Sequence, residues 1–182
     1  MLDINLGRAI TFVEVFLSEA NGGARLVAIW AALSSLLNEN AKVRAGAPTD
    51  SDRYSGTVGD VEVLIDEKLV SASECKHRPL TSDDVLHGIK KARDGGVPQY
   101  LFVCAAGLVA EQQDRIHKAI SDASQSVDLA IVDIFDEAPT LLKMIGPSRR
   151  ALFGESVVTF LRSMRRPDAA NEAAELWNCM ED

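Results

Sequence analysis

Asp60 in "GDVEVLI" (59–65) and Glu74 and Lys76 in "LVSASECK" (69–76) are the residues of this chain whose types and spacing could do chemistry together. Carboxylates on two neighbouring strands offer Mg2+ the hard oxygen ligands it prefers, with its remaining positions going to water and a phosphate oxygen. A lysine two residues beyond the second carboxylate shares its strand face. From there its ammonium can orient or deprotonate an attacking water and steady the charge developing on a phosphate. This is the pattern of metal-dependent phosphodiester hydrolysis. A Glu-x-Lys tripeptide alone means little, because an exposed strand face carrying both residues is ordinary solubility chemistry. The conjunction strengthens it: Gly-Asp heading a strand, a hairpin, Glu-x-Lys closing the next strand, then a helix and an apolar strand.

The elements that must position these residues follow from periodicity. In "TVGDVEVLI" Val61, Val63 and Ile65 alternate with Asp60, Glu62 and Leu64, so the first set can face a core while Asp60 and Glu62 share the other face. Asp66, Glu67 and Lys68 suit a hairpin turn that would bring Asp60 toward Glu74 at one end of a sheet. Upstream, apolar spacing predicts helices over 8–19 and 24–38 separated by Gly22 and Gly23, then a short strand at 42–45. Downstream, Thr81 or Ser82 caps a helix with the stripe Val85, Leu86, Ile89 and Ala92, ending at Gly95 and Gly96. A strand at 99–106, a helix at 109–125 and a strand at 127–135 come next. Helices then run from 138, broken by Pro147 and Pro167, with Trp177 on a final short one. The expected class is α/β, a mixed β-sheet flanked by helices.

A length of 182 residues with 47% hydrophobic content suits a single domain over 1–182. Its motif region, 55–135, would lie between helical parts at 1–40 and 138–182. The apolar stretch "LVAIWAALSSLL" (26–37) falls short of the roughly 18 to 20 residues needed to cross a bilayer. No basic signal-peptide opening is present, so a soluble cytoplasmic protein without membrane association is expected. Cys75, Cys104 and Cys179 lie far apart with no C-x-x-C and, except for His77 beside Cys75, no histidine at metal-ligand spacing, which points to reduced thiols and no structural zinc. A net charge of −8 disfavours nucleic acid as a partner, although screening beyond about 8 Å lets a local basic patch act. Nucleotide-binding glycine motifs are absent. His77 alternates away from Glu74 and Lys76 and is read as structural, while His87 and His117 receive no role.

The segment from Ser55 to Cys104, "SGTVGDVEVLIDEKLVSASECKHRPLTSDDVLHGIKKARDGGVPQYLFVC", resembles the core of the PD-(D/E)XK nuclease superfamily, and within it type II restriction endonucleases of the SacI kind. That resemblance implies a restriction-endonuclease-like fold in which Asp60 matches the metal-binding aspartate, Glu74 the second metal ligand and Lys76 the catalytic lysine. The carbonyl of Cys75 would be a further ligand, and Gly59 stands where the nominal motif has proline. Relatives often carry another glutamate on the preceding helix, for which Glu39 is the first choice and Glu14 the next. The implied activity is Mg2+-dependent cleavage of double-stranded DNA in restriction–modification, by a type II enzyme, homodimeric on a palindrome, or by a catalytic fragment of one, since the chain is short for a complete enzyme. A repair, mobile-element or phage-defence nuclease of the same fold is the first alternative. A catalytically silent α/β interaction domain, with the three residues as a surface ion pair, is the second. Arg53 and Tyr54 stand where entering DNA could be met. Lys90 and Lys91, with Arg93, lie off the apolar stripe of their helix and could contact phosphates, as could Arg149, Arg150, Arg162, Arg165 and Arg166; a solvated face explains either group equally.

Overall fold

The computed structural model describes residues 5–19, 23–46 and 57–180. Arg53, Tyr54 and Gly22 lie outside the described residues. Five strands, β1 (Ala41–Ala45), β2 (Val61–Ile65), β3 (Lys68–Lys76), β4 (Gln99–Cys104) and β5 (Asp128–Asp133), lie side by side in chain order. The first three pair antiparallel and the last three parallel, so the sheet is mixed. The helices are α1 (Leu6–Phe16), α2 (Ala24–Leu37), α3 (Ser82–Asp94), α4 (Gln113–Ala123), α5 (Ile134–Ile145), α6 (Pro147–Arg150), α7 (Phe153–Ser163) and α8 (Pro167–Cys179). Among the described residues no helix is long and apolar enough to cross a membrane.

Strand alternation splits the apolar residues into two cores. Ala72, Tyr100, Phe102 and Leu129 face one side, where Val85, Ile89 and Ala92 of α3 and Ile116 and Ala123 of α4 cover them. Val61, Cys75 and Val103 face the other side, under α1, α2, α5, α7 and α8. In α2 every residue from Ala24 to Leu33 is buried, as expected of a helix hydrophobic all round and enclosed on all sides. Phe12 lies edge-on to Trp177 at 5.1 Å and to Phe153 at 5.9 Å, contacts worth about 0.5–1.5 kcal/mol each beyond burial.

The hairpin and strand ends differ in detail from the periodicity. Only Asp66 and Glu67 form the turn, at φ 50° and 60°; Lys68 already pairs with Ile65 in the ladder. Two positive-φ residues match the right-handed twist of the flanking strands, and here an acidic pair adopts them without glycine. A register shift between Val63 and Leu64 buries Leu64 and leaves Val63 and Ile65 half-buried, so the even alternation expected along β2 breaks there. β5 stops at Asp133 because that side chain accepts a hydrogen bond from the Phe135 N–H at 2.9 Å and caps α5. Leu86, expected on the stripe of α3, is exposed, and Gly88 takes its place against the sheet.

The start of α3 is fixed by a capping box between Thr81 and Asp84. Asp84 also accepts two hydrogen bonds from Arg78, at 2.7 and 2.8 Å. Burial works against the Asp84 charge, but Arg78 and the Thr81 donors outweigh it and hold the pKa down at about 2. A carboxylate so depressed contributes stability above its unfolded pKa and loses it as pH falls through about 2. Asp84→Ala is therefore expected to cost about 1–2 kcal/mol at neutral pH, read as a lower urea midpoint at unchanged slope. The deficit should shrink as the solution is acidified toward pH 2, where the wild-type carboxylate is itself protonated.

Candidate active site

Antiparallel pairing of Val61 with Ser73 places Asp60 opposite Glu74. Glu74 sits between Ala72 and Lys76 on the face covered by α3, and Cys75 between them turns into the opposite core. The two-residue strand period therefore delivers Asp60, Glu74 and Lys76 to one side of the sheet. The Asp60 carboxylate accepts the Cys75 N–H at 2.8 Å. Because a strand residue sends its N–H and C=O to the same side, the Cys75 carbonyl faces Asp60 as well.

The segment entering β2 is pinned against the sheet. Glu62, only 5% exposed, accepts the Val58 N–H at 2.8 Å, and Gly46 donates to the Asp60 carbonyl at 2.8 Å. At Gly59 an added Cβ would stand 2.6 Å from the Ser73 carbonyl oxygen. The backbone bearing Asp60 can lie this close to β3 only because residue 59 has no side chain, which gives a local reason for glycine here.

Glu74 is 7% exposed, and both of its oxygens are hydrogen-bonded. Its Oε1 lies 2.6 Å from the Lys76 ammonium. Its Oε2 accepts from Lys91 at 3.0 Å and from the buried Tyr100 hydroxyl at 3.1 Å. Burial alone would raise the Glu74 pKa, but the two ammoniums overcome it and leave the pKa below the ordinary carboxylate value. At Asp60 the balance differs: burial, then the charge of Glu74, pushes its pKa up to about 6 against the Cys75 hydrogen bond and the charges of Lys76 and Lys91. Lys76 is held as an ammonium, since Glu74 and Asp60 overcome the burial that would otherwise lower its pKa.

Lys91 and Tyr100 reach this cluster through close packing. An added Cβ at Gly88 would meet the Phe102 ring at 2.4 Å, and one at Gly95 would meet Val58 at 2.6 Å. These two glycines bring α3 down onto the sheet, and Lys91 lies between them on the same flank. By sequence Lys91 is a candidate phosphate contact off the apolar stripe of its helix, with a solvated face as the competing explanation. The structure places it in the cluster with 14% of its side chain exposed. A lysine at i+3 from one glycine and i−4 from another was the available signal, and for Tyr100 the signal was a hydroxyl inside an apolar central strand, which requires a buried partner.

Other residues singled out in the sequence lie elsewhere. Glu39 precedes the end of β1 that pairs with Ile65, whereas Asp60 adjoins the end that pairs with Ala45. Its partner is Arg149 at 3.4 Å, and its side chain is 77% exposed, so the structure does not bring it to the cluster. Glu14 is on the exposed face of α1. Lys90 is exposed and pairs with Asp94 on its own helix. Arg150 is no surface cation: it is buried and donates to the Leu142 carbonyl at 3.1 Å. His77 lies near Leu17 at the end of α1, and burial holds its pKa below the usual imidazole value.

The family model described as the SacI restriction endonuclease C-terminal domain matches residues 3–107, more than half of the chain. The chain belongs to this family. No curated protein matches it. The matched span runs from α1 through β4 and contains the whole Asp60, Glu74, Lys76, Lys91 and Tyr100 cluster. Membership in the SacI C-terminal domain family relates the chain to restriction endonucleases, and so to proteins that interact with DNA. Beyond residue 107 the SacI match ends, while the sheet continues by one more parallel strand, β5.

Proposed function

We propose that this SacI-family domain is a Mg2+-dependent endonuclease of the PD-(D/E)XK type that hydrolyses phosphodiester bonds of double-stranded DNA, as a type II restriction enzyme or the catalytic part of one. The observation that carries this reading is the pairing of two carboxylates of unlike ionisation across adjacent strands, with an ammonium 2.6 Å from one of them. The donor set suits a hard divalent cation. Asp60 and Glu74 supply carboxylate oxygens, the Cys75 carbonyl faces the same side, and a cation there would offset both the burial that chiefly raises the Asp60 pKa and the Glu74 charge that adds to it. Two carboxylates would leave the remaining positions of Mg2+ to water and phosphate oxygens. Bound there, Mg2+ would supply a Lewis acid for the phosphate and lower the pKa of a coordinated water.

The chain's own residues do the rest. Asp60 and Glu74 hold and orient the cation site from rigid strands. Lys76, a donor in its charged form, hydrogen-bonds the attacking water or a phosphate oxygen and stabilises the charge that develops as water adds to phosphorus and the bond to the leaving sugar oxygen breaks. Its raised pKa favours this donor role over that of a base. Where the recognition sequence is palindromic, two copies related by a two-fold axis would each cut one strand, which sedimentation with and without DNA would reveal.

The test is digestion of supercoiled plasmid with Mg2+, followed by sequencing of the fragment ends. Discrete ends at one short sequence are expected, and EDTA should stop the reaction. Uncut plasmid across Mg2+ and Mn2+ concentrations, with no binding of either ion, would favour a silent domain whose Glu74–lysine network is only structural.

A further inference from the structure

The hydrogen bonds of Glu74 distinguish its two oxygens. A carboxylate offers about four lone-pair positions, two on each oxygen. Lys91 and Tyr100 occupy both of those on Oε2, at 3.0 and 3.1 Å, while Lys76 takes one on Oε1 at 2.6 Å. Among the described residues no donor takes the remaining position, on Oε1. We propose that Lys91 and Tyr100 are positioning residues that hold Glu74 by Oε2 and present Oε1 to the cation beside Lys76. This rests on the metal-dependent nuclease reading above and deepens it.

Both holding groups stand on well-packed elements. Tyr100 is fully buried in β4, an interior strand, with its ring 5.3 Å from that of Phe102. Lys91 is seated by the close approach of α3 at Gly88 and Gly95. A carboxylate fixed in this way need not be ordered when the cation arrives, and outer partners of this type set metal affinity by fixing ligand orientation. The two partners nevertheless act differently. Tyr100 is neutral, so it contributes orientation alone. Lys91 adds a positive charge, and with Lys76 it balances Asp60 and Glu74 two against two. A divalent ion then leaves the site with a net positive charge facing an anionic phosphate. Without Lys91 the cation meets less repulsion, while the phosphate and its transition state lose an attracting charge.

The two residues on Oε2 are therefore expected to give opposite shifts in cation affinity. Full-length Tyr100→Phe and Lys91→Met would be compared with wild type by calorimetric titration of Mn2+ and by plasmid cleavage over Mg2+ concentrations up to saturation. In Tyr100→Phe, Mn2+ affinity should fall about tenfold, and the metal concentration needed for half-maximal cleavage should rise by a similar factor, with a smaller loss of rate once metal saturates, because only the orientation of Glu74 was lost. In Lys91→Met, Mn2+ affinity should rise severalfold and cleavage fall by about tenfold or more. A merely structural role would lower both quantities in both variants. Tyr100→Phe binding Mn2+ like wild type, or Lys91→Met binding it more weakly, would overturn the proposal. If Lys91→Met loses cooperative unfolding, Lys91→Gln carries the same expectations. Failure of the nuclease reading is separately visible, since wild type itself would then neither bind Mn2+ nor cut DNA.

Discussion

Lys76→Ala is expected to lower cleavage by about 10³-fold while leaving DNA binding within a fewfold of wild type. The ammonium lies 2.6 Å from Glu74 and is held in its charged form, so its removal deletes a donor aimed at developing charge, a loss of the order seen when one transition-state donor is removed. For binding it is one phosphate contact among several, and the salt dependence of affinity should drop by about one contact at most. Cleavage measured with excess enzyme on a labelled duplex, beside electrophoretic binding in Ca2+, separates the two quantities. Equal losses in binding and cleavage would show that Lys76 only holds DNA, and unchanged cleavage would remove it from the chemistry.

Asp60→Asn should be equally inactive for a different reason, and the difference shows in metal binding and stability. The amide keeps an oxygen to accept the Cys75 N–H, which Asp60 takes at 2.8 Å, but it has no charge to hold Mg2+. Metal affinity should fall beyond calorimetric detection, whereas Lys76→Ala keeps both carboxylates and still binds the ion. The metal-free protein should at the same time become more stable. Asp60 ionises in the folded chain only at about 6, against 3.8 for the ordinary carboxyl. The folded state thus takes up this proton first as pH falls. The associated stability is complete below the unfolded pKa and lost as pH rises through about 6, so at neutral pH the metal-free wild type forgoes about 2–3 kcal/mol. Asparagine avoids that loss, and the melting temperature above pH 6 should rise by roughly 5 °C. Mg2+ should raise the wild-type melting temperature and leave the variant's unchanged. A variant no more stable than wild type at pH 7.5, or one still binding Mg2+, would place Asp60 outside a strained cation site.

Read from the chain alone, the order of elements is legible because it depends on local patterns. Period-two alternation in 61–65 and 69–76 specifies which residues share a strand face, and the short break at Asp66–Glu67 joins the runs as a hairpin. Asp60, Glu74 and Lys76 on one side follow directly from that. The apolar runs that became α2, β4 and β5 were visible for the same reason, with errors at the ends, as at Asp133, where a side-chain cap ends the strand two residues early.

Tertiary packing decided what surrounds those three residues. Lys91 appears solvent-facing when its helix is drawn as a wheel, yet the approach of α3 allowed by Gly88 and Gly95 folds it against Glu74. Tyr100 reads as core, and only the parallel pairing of β3 with β4 brings its hydroxyl to the same oxygen. Glu39 looks well placed as a glutamate shortly before the motif, but the antiparallel register of β1 carries it to the far end of the sheet. The unequal ionisation of Asp60 and Glu74 also needed the fold, because it depends on which carboxylate the two lysines reach and how deeply each is buried. Residue identity and strand period are written locally and determined the motif. Helix-to-sheet distance, strand register and burial are set by contacts between distant segments, and those determined how the motif is held and charged.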